Sequence, residues 1–298
     1  MMSPASAPNS KPVLRFAPSP NGYLHLGHAL SALECKRWAD SLGGRLLLRI
    51  EDTDLSRARP QYRDAILDDL KWLGLKWEEP VRVQSDHLDL YQEKLQHLYE
   101  AGLAYPAPAS RTHIARALED IKNEGLAWPC DPDGSPHYPF AQRDKAERPD
   151  NMPLDGPIRL DMQAALKSLN VTRLPEKHIE TPSSAPITSI ADPSAWGDVL
   201  LRGRDRPATY HLAVVVDDAV QGITHVVRGK DLEPATSLHR LLQELLGLPA
   251  LIYHHHRLIM GEDGRKLSKS EGAKSLRSLR RAGVDREALI ERLTHISN

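Results

Sequence analysis

Two short groups of residues stand far apart in this sequence, and both are suited to holding phosphate. His25-Leu26-Gly27-His28 follows a short β-like run, Val13–Phe16, through the turn Pro18-Ser19-Pro20-Asn21-Gly22. Leu26, Ala29, Leu30 and Leu33 share one face of the helical pattern that begins there. Two imidazoles at a helix N-terminus can hydrogen-bond phosphate oxygens, where unpaired N–H groups and the helix dipole also favour anions. Gly27 lets an adenine or ribose approach the backbone. Lys266-Leu267-Ser268-Lys269-Ser270 follows Gly261-Glu262-Asp263-Gly264, and its lysines suit a loop that closes on a triphosphate. Each group alone is weak, because paired histidines and Lys/Ser-rich loops are usually ordinary surface. Together, in this order, they predict a nucleotide site.

The elements that must position these groups are legible around them. Arg45–Ile50 is a nearly continuous apolar run of the kind a buried parallel strand needs, and it ends in Glu51-Asp52-Thr53-Asp54. The first fifty residues therefore read as a βαβ unit. One further helix groups Tyr62, Ile66, Leu70 and Leu73 before Gly74, and another groups Leu88, Tyr91, Leu95 and Leu98 before Gly102. Of the 23 prolines, 13 fall between Pro106 and Pro193, which predicts a loop-rich insertion. Ile158-Arg159-Leu160 and Ala195–Leu201 still read as strand material within and after it. Thr209–Val216 and Ile223–Val227 read as two strands separated by Asp217-Asp218, and Pro234 opens a helix carrying Leu238, Leu241, Leu242, Leu245 and Leu246. His254-His255-His256 alternate across a strand, so only His256 is expected on the nucleotide side, and the run is not a metal cluster.

The expected architecture is an α/β, Rossmann-type catalytic domain over 13–103 and 191–250. An inserted subdomain covers 104–190, the lysine loop and a short helical tail cover 251–298, and 1–12 form a disordered leader. Two cysteines, Cys35 and Cys130, cannot build a disulfide framework, which points to a reduced, cytoplasmic setting. The longest apolar runs, such as Leu212–Val216, are far too short to span a bilayer, and the first residues lack the features of a signal peptide. The net charge of −1 suggests no nucleic-acid partner by itself. Locally, nine Lys/Arg against four Asp/Glu between Arg265 and Asn298 make a plausible phosphate-facing patch. A monomer is the default expectation.

The two groups resemble the HIGH and KMSKS motifs of class I aminoacyl-tRNA synthetases. Arg15-Phe16-Ala17-Pro18-Ser19-Pro20, Arg49-Ile50-Glu51-Asp52-Thr53-Asp54, Leu212-Ala213-Val214-Val215-Val216-Asp217-Asp218 and Val227-Arg228-Gly229-Lys230-Asp231-Leu232 resemble the glutamyl branch. The likeness spans roughly 13–103 and 196–270. Full-length glutamyl enzymes carry a large anticodon-binding domain after the second motif, whereas 28 residues follow Ser270. The expectation is therefore a chain without that domain, similar to the truncated paralogues called glutamyl-Q tRNA(Asp) synthetases. These attach glutamate to the queuosine base at the wobble position of tRNA(Asp). Two alternatives stay open: a minimal enzyme charging the 3′ end of tRNA(Glu), and an inactive RNA-binding paralogue.

The resemblance implies ATP and L-glutamate as substrates, Mg²⁺ as a companion of ATP, and tRNA(Asp) carrying queuosine as acceptor. A carboxylate attacks the α-phosphorus of ATP and expels pyrophosphate. The carboxylate is already a nucleophile at neutral pH, so catalysis rests on alignment and charge neutralisation. His25, His28, Lys266 and Lys269 are the expected catalytic residues, with Pro18, Gly27 and Ser268 completing the ATP site. Glu51 is expected to take the α-ammonium and Arg15 and Arg228 the carboxylates. Ala17, Ser19 and Tyr210 add contacts to glutamate. Many family members build a zinc site from Cys-x-Cys and Tyr-x-x-x-Cys in the insertion. Ala107, Ala109, Tyr138 and Gln142 stand at those positions, so no zinc is expected. Cys130 with Asp131, Asp133 and His137 reads as an ordinary loop.

Overall fold

A computed structural model describes residues 11–259 and 275–297. The chain runs β1 (Val13–Phe16), α1 (Leu26–Ser41), β2 (Arg45–Ile50), α2 (Pro60–Trp72), β3 (Glu78–Val83) and α3 (Leu88–Glu100). It continues through β4 (Ala104–Pro106), α4 (Arg111–Asn123), α5 (Ala141–Ala146), β5 (Ile158–Leu160), α6 (Met162–Ser168), β6 (Leu174–His178) and β7 (Ile187–Ala191). Then come β8 (Leu200–Arg202), α7 (Tyr210–Val220), β9 (His225–Gly229), α8 (Ala235–Leu245), β10 (Ile252–His256), α9 (Leu276–Arg281) and α10 (Arg286–Ser297). The lysine loop expectations, Lys266, Ser268 and Lys269, lie outside the described residues, as do residues 1–10 of the leader.

β1, β2 and β3 form a parallel sheet in that order, and β7-β6-β10-β9 form a second, with only β7 antiparallel. The two sheets meet edge to edge where β1 and β9 lie side by side. Thr224 N–H donates to Val13 O at 2.9 Å and Val13 N–H to Thr224 Oγ1 at 2.9 Å. Further up, Cys35 of α1 occupies the seam, its Sγ 3.5 Å from Arg15 O and 3.4 Å from Val227 O. Burial pushes this thiol up to about 12, so it stays protonated and packs as a small apolar group. A seam between parallel strands is where open α/β sheets bind ligands, beyond the carboxyl ends of the strands.

β1 is buried on both faces, because parallel strands are covered by helices on each side. Period-two alternation puts Leu14 and Phe16 into the core under α1, and sends Val13 and Arg15 the other way. A separate core gathers α3, the strands β4 and β5, α7 and α8.

Two expectations are corrected. Thr209–Val216 is not a strand: residues from Tyr210 form helix α7, fully buried from Leu212 to Asp218. A short apolar run carries no period that separates a buried helix from a buried strand, and β-branched valines tilt the reading to strand. Here, burial against α3 on one side and α8 on the other overrides that propensity. Ala195–Leu201 is also mostly not strand. Pro193–Trp196 is a 3-10 turn, and pairing begins at Leu200. β6, from the Pro-rich stretch, hydrogen-bonds onto β10, and β7 onto β6.

Where many family members carry zinc ligands, Ala107 and Tyr138 are buried with Tyr105 in a small apolar cluster that Ala109, Ile114, Phe140 and Ala141 complete. Tyr138 donates to Asp144 at 2.5 Å, and Gln142 is exposed. No helix of the described residues is long and apolar enough to cross a membrane.

Candidate active site

A cavity of about 420 Å³ opens at the carboxyl ends of β1, β9 and β10 and the N-terminus of α1. Arg15, Ala17, Pro18 and Ser19 enter it from the end of β1 and the turn after it. His25, Gly27 and His28 line it from α1, Glu51 from the end of β2, Tyr210 from α7 and Arg228 from β9. Every expected site residue among those described therefore meets in one place. Asn21, Ser31, Asp231 and His256 join them, of which only His256 was anticipated.

The histidine pair is built by the helix start itself. His25 is the N-cap of α1, and its Nδ1 accepts from Gly27 N–H at 3.1 Å. His28 Nδ1 in turn accepts from His25 N–H at 3.2 Å, with ring centroids 3.8 Å apart. Each Nδ1 is thus an acceptor, which places the proton of each neutral ring on Nε2. Both side chains are fixed as Nε2–H donors beside the helix N-terminus, the arrangement an incoming phosphate needs. Gly27 is required for it, since a Cβ there would lie 2.9 Å from His25 Cε1. His256 Nδ1 donates to Arg257 O at 2.8 Å, leaving Nε2 to accept from Ser31 at 2.8 Å. His254 packs on Trp38 and His255 bonds Arg228, so the three consecutive imidazoles diverge.

Beneath the cavity lies a buried ionic set that sequence reasoning missed. Asp218 accepts from Arg15 Nε at 2.9 Å and Nη2 at 3.2 Å, and from Arg49 Nη1 at 2.7 Å. Arg49 also reaches Glu51 at 3.1 Å, and Asp217 accepts from Arg82, Gln84 and Tyr91. Burial opposes the Asp218 carboxylate, but Arg15 and Arg49 outweigh it and hold its pKa below the ordinary value. Glu51 is shifted the other way, upward, by burial that Arg49 only partly offsets. Asp218 and Arg49 therefore fix the guanidinium of Arg15 and the carboxylate of Glu51 relative to each other. The missed signal is the Asp217-Asp218 pair closing an apolar run. Two carboxylates on a buried helix need cationic partners, and Arg15 and Arg49 sit inside apolar strands.

Arg228 is held differently. Its Nε donates to His255 Nε2 at 3.2 Å, Nη1 to His239 Nδ1 at 3.1 Å and Nη2 to Thr236 Oγ1 at 2.8 Å. Among the described residues it has no carboxylate partner, although it is buried to 5% exposure. The Tyr210 hydroxyl is also without a hydrogen-bond partner among the described residues, and burial raises its pKa. Among the described residues, no group of three or more His, Cys, Asp or Glu could hold a metal ion. A magnesium ion carried on a triphosphate would take its ligands mainly from phosphate and water.

The chain is similar to known proteins over most of its length. The family model for the catalytic domain of class I tRNA synthetases (E and Q) matches residues 12–297. A glutamyl-Q tRNA(Asp) synthetase of Rhodobacter capsulatus is 44% identical over 273 residues, covering 91% of this chain and 96% of the relative. A glutamate–tRNA ligase of Aquifex aeolicus is 36% identical over 285 residues, which are 95% of this chain but 57% of the ligase. The solved structure of a glutamate tRNA ligase from Elizabethkingia meningosepticum, in complex with its amino acid, superposes with a TM-score of 0.67 at 27% identity. That superposition covers 88% of this chain and 53% of the other, so the chain spans about half the length of these longer ligases. With the seam between parallel strands, the histidine-capped helix and a family model matched over nearly all its length, the chain belongs to the class I tRNA synthetases of the E and Q branch, which are ATP-dependent ligases.

Proposed function

We propose that this chain activates L-glutamate with ATP and transfers the glutamyl group to queuosine at the wobble position of tRNA(Asp). The observation that carries the first half is the charge balance of the buried side chains around the cavity, leaving aside Asp231 and Arg257, which are exposed at its rim. Arg15, Arg49 and Arg82 are matched by Glu51, Asp217 and Asp218, while Arg228 has no carboxylate partner among the described residues. A site with one unmatched buried cation favours a ligand of net charge −1. Glutamate, with one ammonium and two carboxylates, has that charge and glutamine does not.

In this reading Glu51 takes the ammonium, Arg15 and Arg228 take carboxylates, and Ala17, Ser19 and Tyr210 complete the amino-acid pocket. Pro18 and Gly27 border the nucleotide, and His25 and His28 donate their Nε2–H groups to its phosphates. Lys266, Ser268 and Lys269 neutralise the same phosphates, and Mg²⁺ accompanies ATP. The carboxylate attacks the α-phosphorus, the bond from that phosphorus to the α,β-bridging oxygen breaks, and pyrophosphate leaves with the electron pair. No proton transfer is needed in this step.

The acceptor half rests on likeness. The relative named for tRNA(Asp) modification is matched over 96% of its length, whereas the Aquifex ligase is matched over 57%. The protein is proposed to act as a cytoplasmic monomer. A non-hydrolysable glutamyl-adenylate analogue tests the activation half. At a hundredfold excess over Kd it should stabilise the fold by about 2.7 kcal/mol, raising Tm by roughly 5 °C. A glutaminyl analogue at the same concentration should do far less. No shift with either ligand would sink the reading.

A further inference from the structure

The groups that hold Arg228 form a chain whose proton positions are fixed by geometry. Arg228 Nη1–H points at His239 Nδ1. An imidazolium has no acceptor atom, so His239 must be neutral with its proton on Nε2. That Nε2 lies 3.1 Å from His211 Nδ1, which accepts it. On the other side Arg228 Nε–H points at His255 Nε2, and Thr236 Oγ1 lies 3.3 Å from the same atom, so His255 is likewise a neutral acceptor. His239 is 2% exposed. Burial, with the nearby Arg228 charge, holds His211 down to about 4, His255 down to about 2 and His239 well below its ordinary value. The Tyr253 ring lies 5.1 Å from the guanidinium and adds another neutral face.

Three of the five N–H groups of the guanidinium are therefore occupied by neutral acceptors, which leaves one on each terminal nitrogen. We infer that His239, together with His255 and Thr236, is a specificity-positioning element: it orients Arg228 without neutralising it, so that the whole charge is kept for an anionic amino-acid side chain. A carboxylate at either histidine position would orient the guanidinium equally well but consume its charge. Buried orientation by imidazole in place of carboxylate is what separates Arg228 from Arg15, which Asp218 already neutralises. The inference rests on the glutamate reading above.

Asparagine places a neutral oxygen, and aspartate a charged one, close to where histidine carries Nδ1. His239→Asn and His239→Asp are thus a matched pair. Calorimetry would measure the affinity of each variant for glutamyl-adenylate and glutaminyl-adenylate analogues, with Tm recorded alongside. His239→Asn should bind the glutamyl analogue within about threefold of wild type and keep its preference. His239→Asp should bind it roughly 30-fold or more weakly, the loss expected when a buried charge pair is pre-empted, with the glutaminyl analogue little changed. Equal losses in both variants, or an unchanged preference in His239→Asp, would overturn the inference by making His239 a packing residue. Should His239→Asp fail to fold, His255→Gln and His255→Glu repeat the comparison at Nε2 with the same two outcomes. Wild type reports on the parent reading: if it binds neither analogue or shows no preference, glutamate activation itself falls and this inference with it.

Discussion

Replacing Asp218 by asparagine removes one negative charge from a buried set in which three arginines face three carboxylates. Asp218 carries the most of that set, since its oxygens lie 2.9 Å from Arg15 Nε and 2.7 Å from Arg49 Nη1, at 5% side-chain exposure. Breaking a buried pair by deleting one partner typically costs about 3–5 kcal/mol, because the remaining charge stays buried without compensation. For a chain of this length a kcal/mol corresponds to about 2 °C, so Tm should fall by roughly 6–10 °C. The pH dependence has a definite sign. The folded-state pKa of Asp218 lies below the ordinary 3.8, so its stabilisation is complete above that value and is lost as pH falls through the lower one. The gap between wild type and variant should be flat from pH 6 to 8 and close below about 4. Binding of the glutamyl-adenylate analogue should weaken at least about tenfold, because Arg15 and the Arg49–Glu51 pair lose their common anchor. Differential scanning calorimetry over pH, with titration calorimetry at pH 7, reads both effects. A Tm within a degree or so of wild type and an unchanged affinity would refute the view that this set positions the site.

Gly27→Ala should leave Tm almost unchanged, since alanine favours the helix by about 1 kcal/mol, yet slow adenylate formation about tenfold or more. The added Cβ, 2.9 Å from His25 Cε1, forces the ring out of its cap, and wild-type pyrophosphate-exchange rates would contradict this. Asp69 is fully buried on α2 with neither oxygen hydrogen-bonded among the described residues, and burial raises its pKa to about 6 against the pull of Arg280 at 3.6 Å. Its ionised form costs stability above that pH, so Asp69→Asn should raise Tm at pH 7.5 by roughly 2–6 °C, equivalent to about 1–3 kcal/mol. The gain should shrink as pH falls through 6 and vanish below 3.8. A lower Tm would show instead that the pair with Arg280 dominates. Dialysis against a chelator should shift Tm by less than about 1 °C, because Ala107 and Ala109, packed in a small apolar cluster, stand where the family's cysteines would. A drop of several degrees restored by zinc would reverse that view.

The βαβ start, the helices ending at Gly74 and Gly102, and the histidine-capped helix were legible because local period and punctuation agree with the tertiary fold there. The amino-acid pocket was legible only through resemblance, since Arg15, Glu51, Tyr210 and Arg228 each read singly as ordinary residues. Helix α7 was read as a strand because its valines obey the packing around them and no intrinsic period. The residues that hold Arg228 come from α7, α8 and β10, and nothing in local sequence brings His211, His239 and His255 together. Asp217-Asp218 carry part of the family resemblance, but their pairing with Arg15, Arg49 and Arg82 is not legible in the sequence. Carboxylates at the end of so apolar a segment are costly unless paired, and their partners define the floor of the site.

Transfer of radiolabelled glutamate to matched tRNA preparations, one containing queuosine and one lacking it, tests the central claim most directly. Label should appear on tRNA(Asp) only where queuosine is present, and none on tRNA(Glu). Label on tRNA(Glu) from both preparations would contradict it and make this chain a charging enzyme.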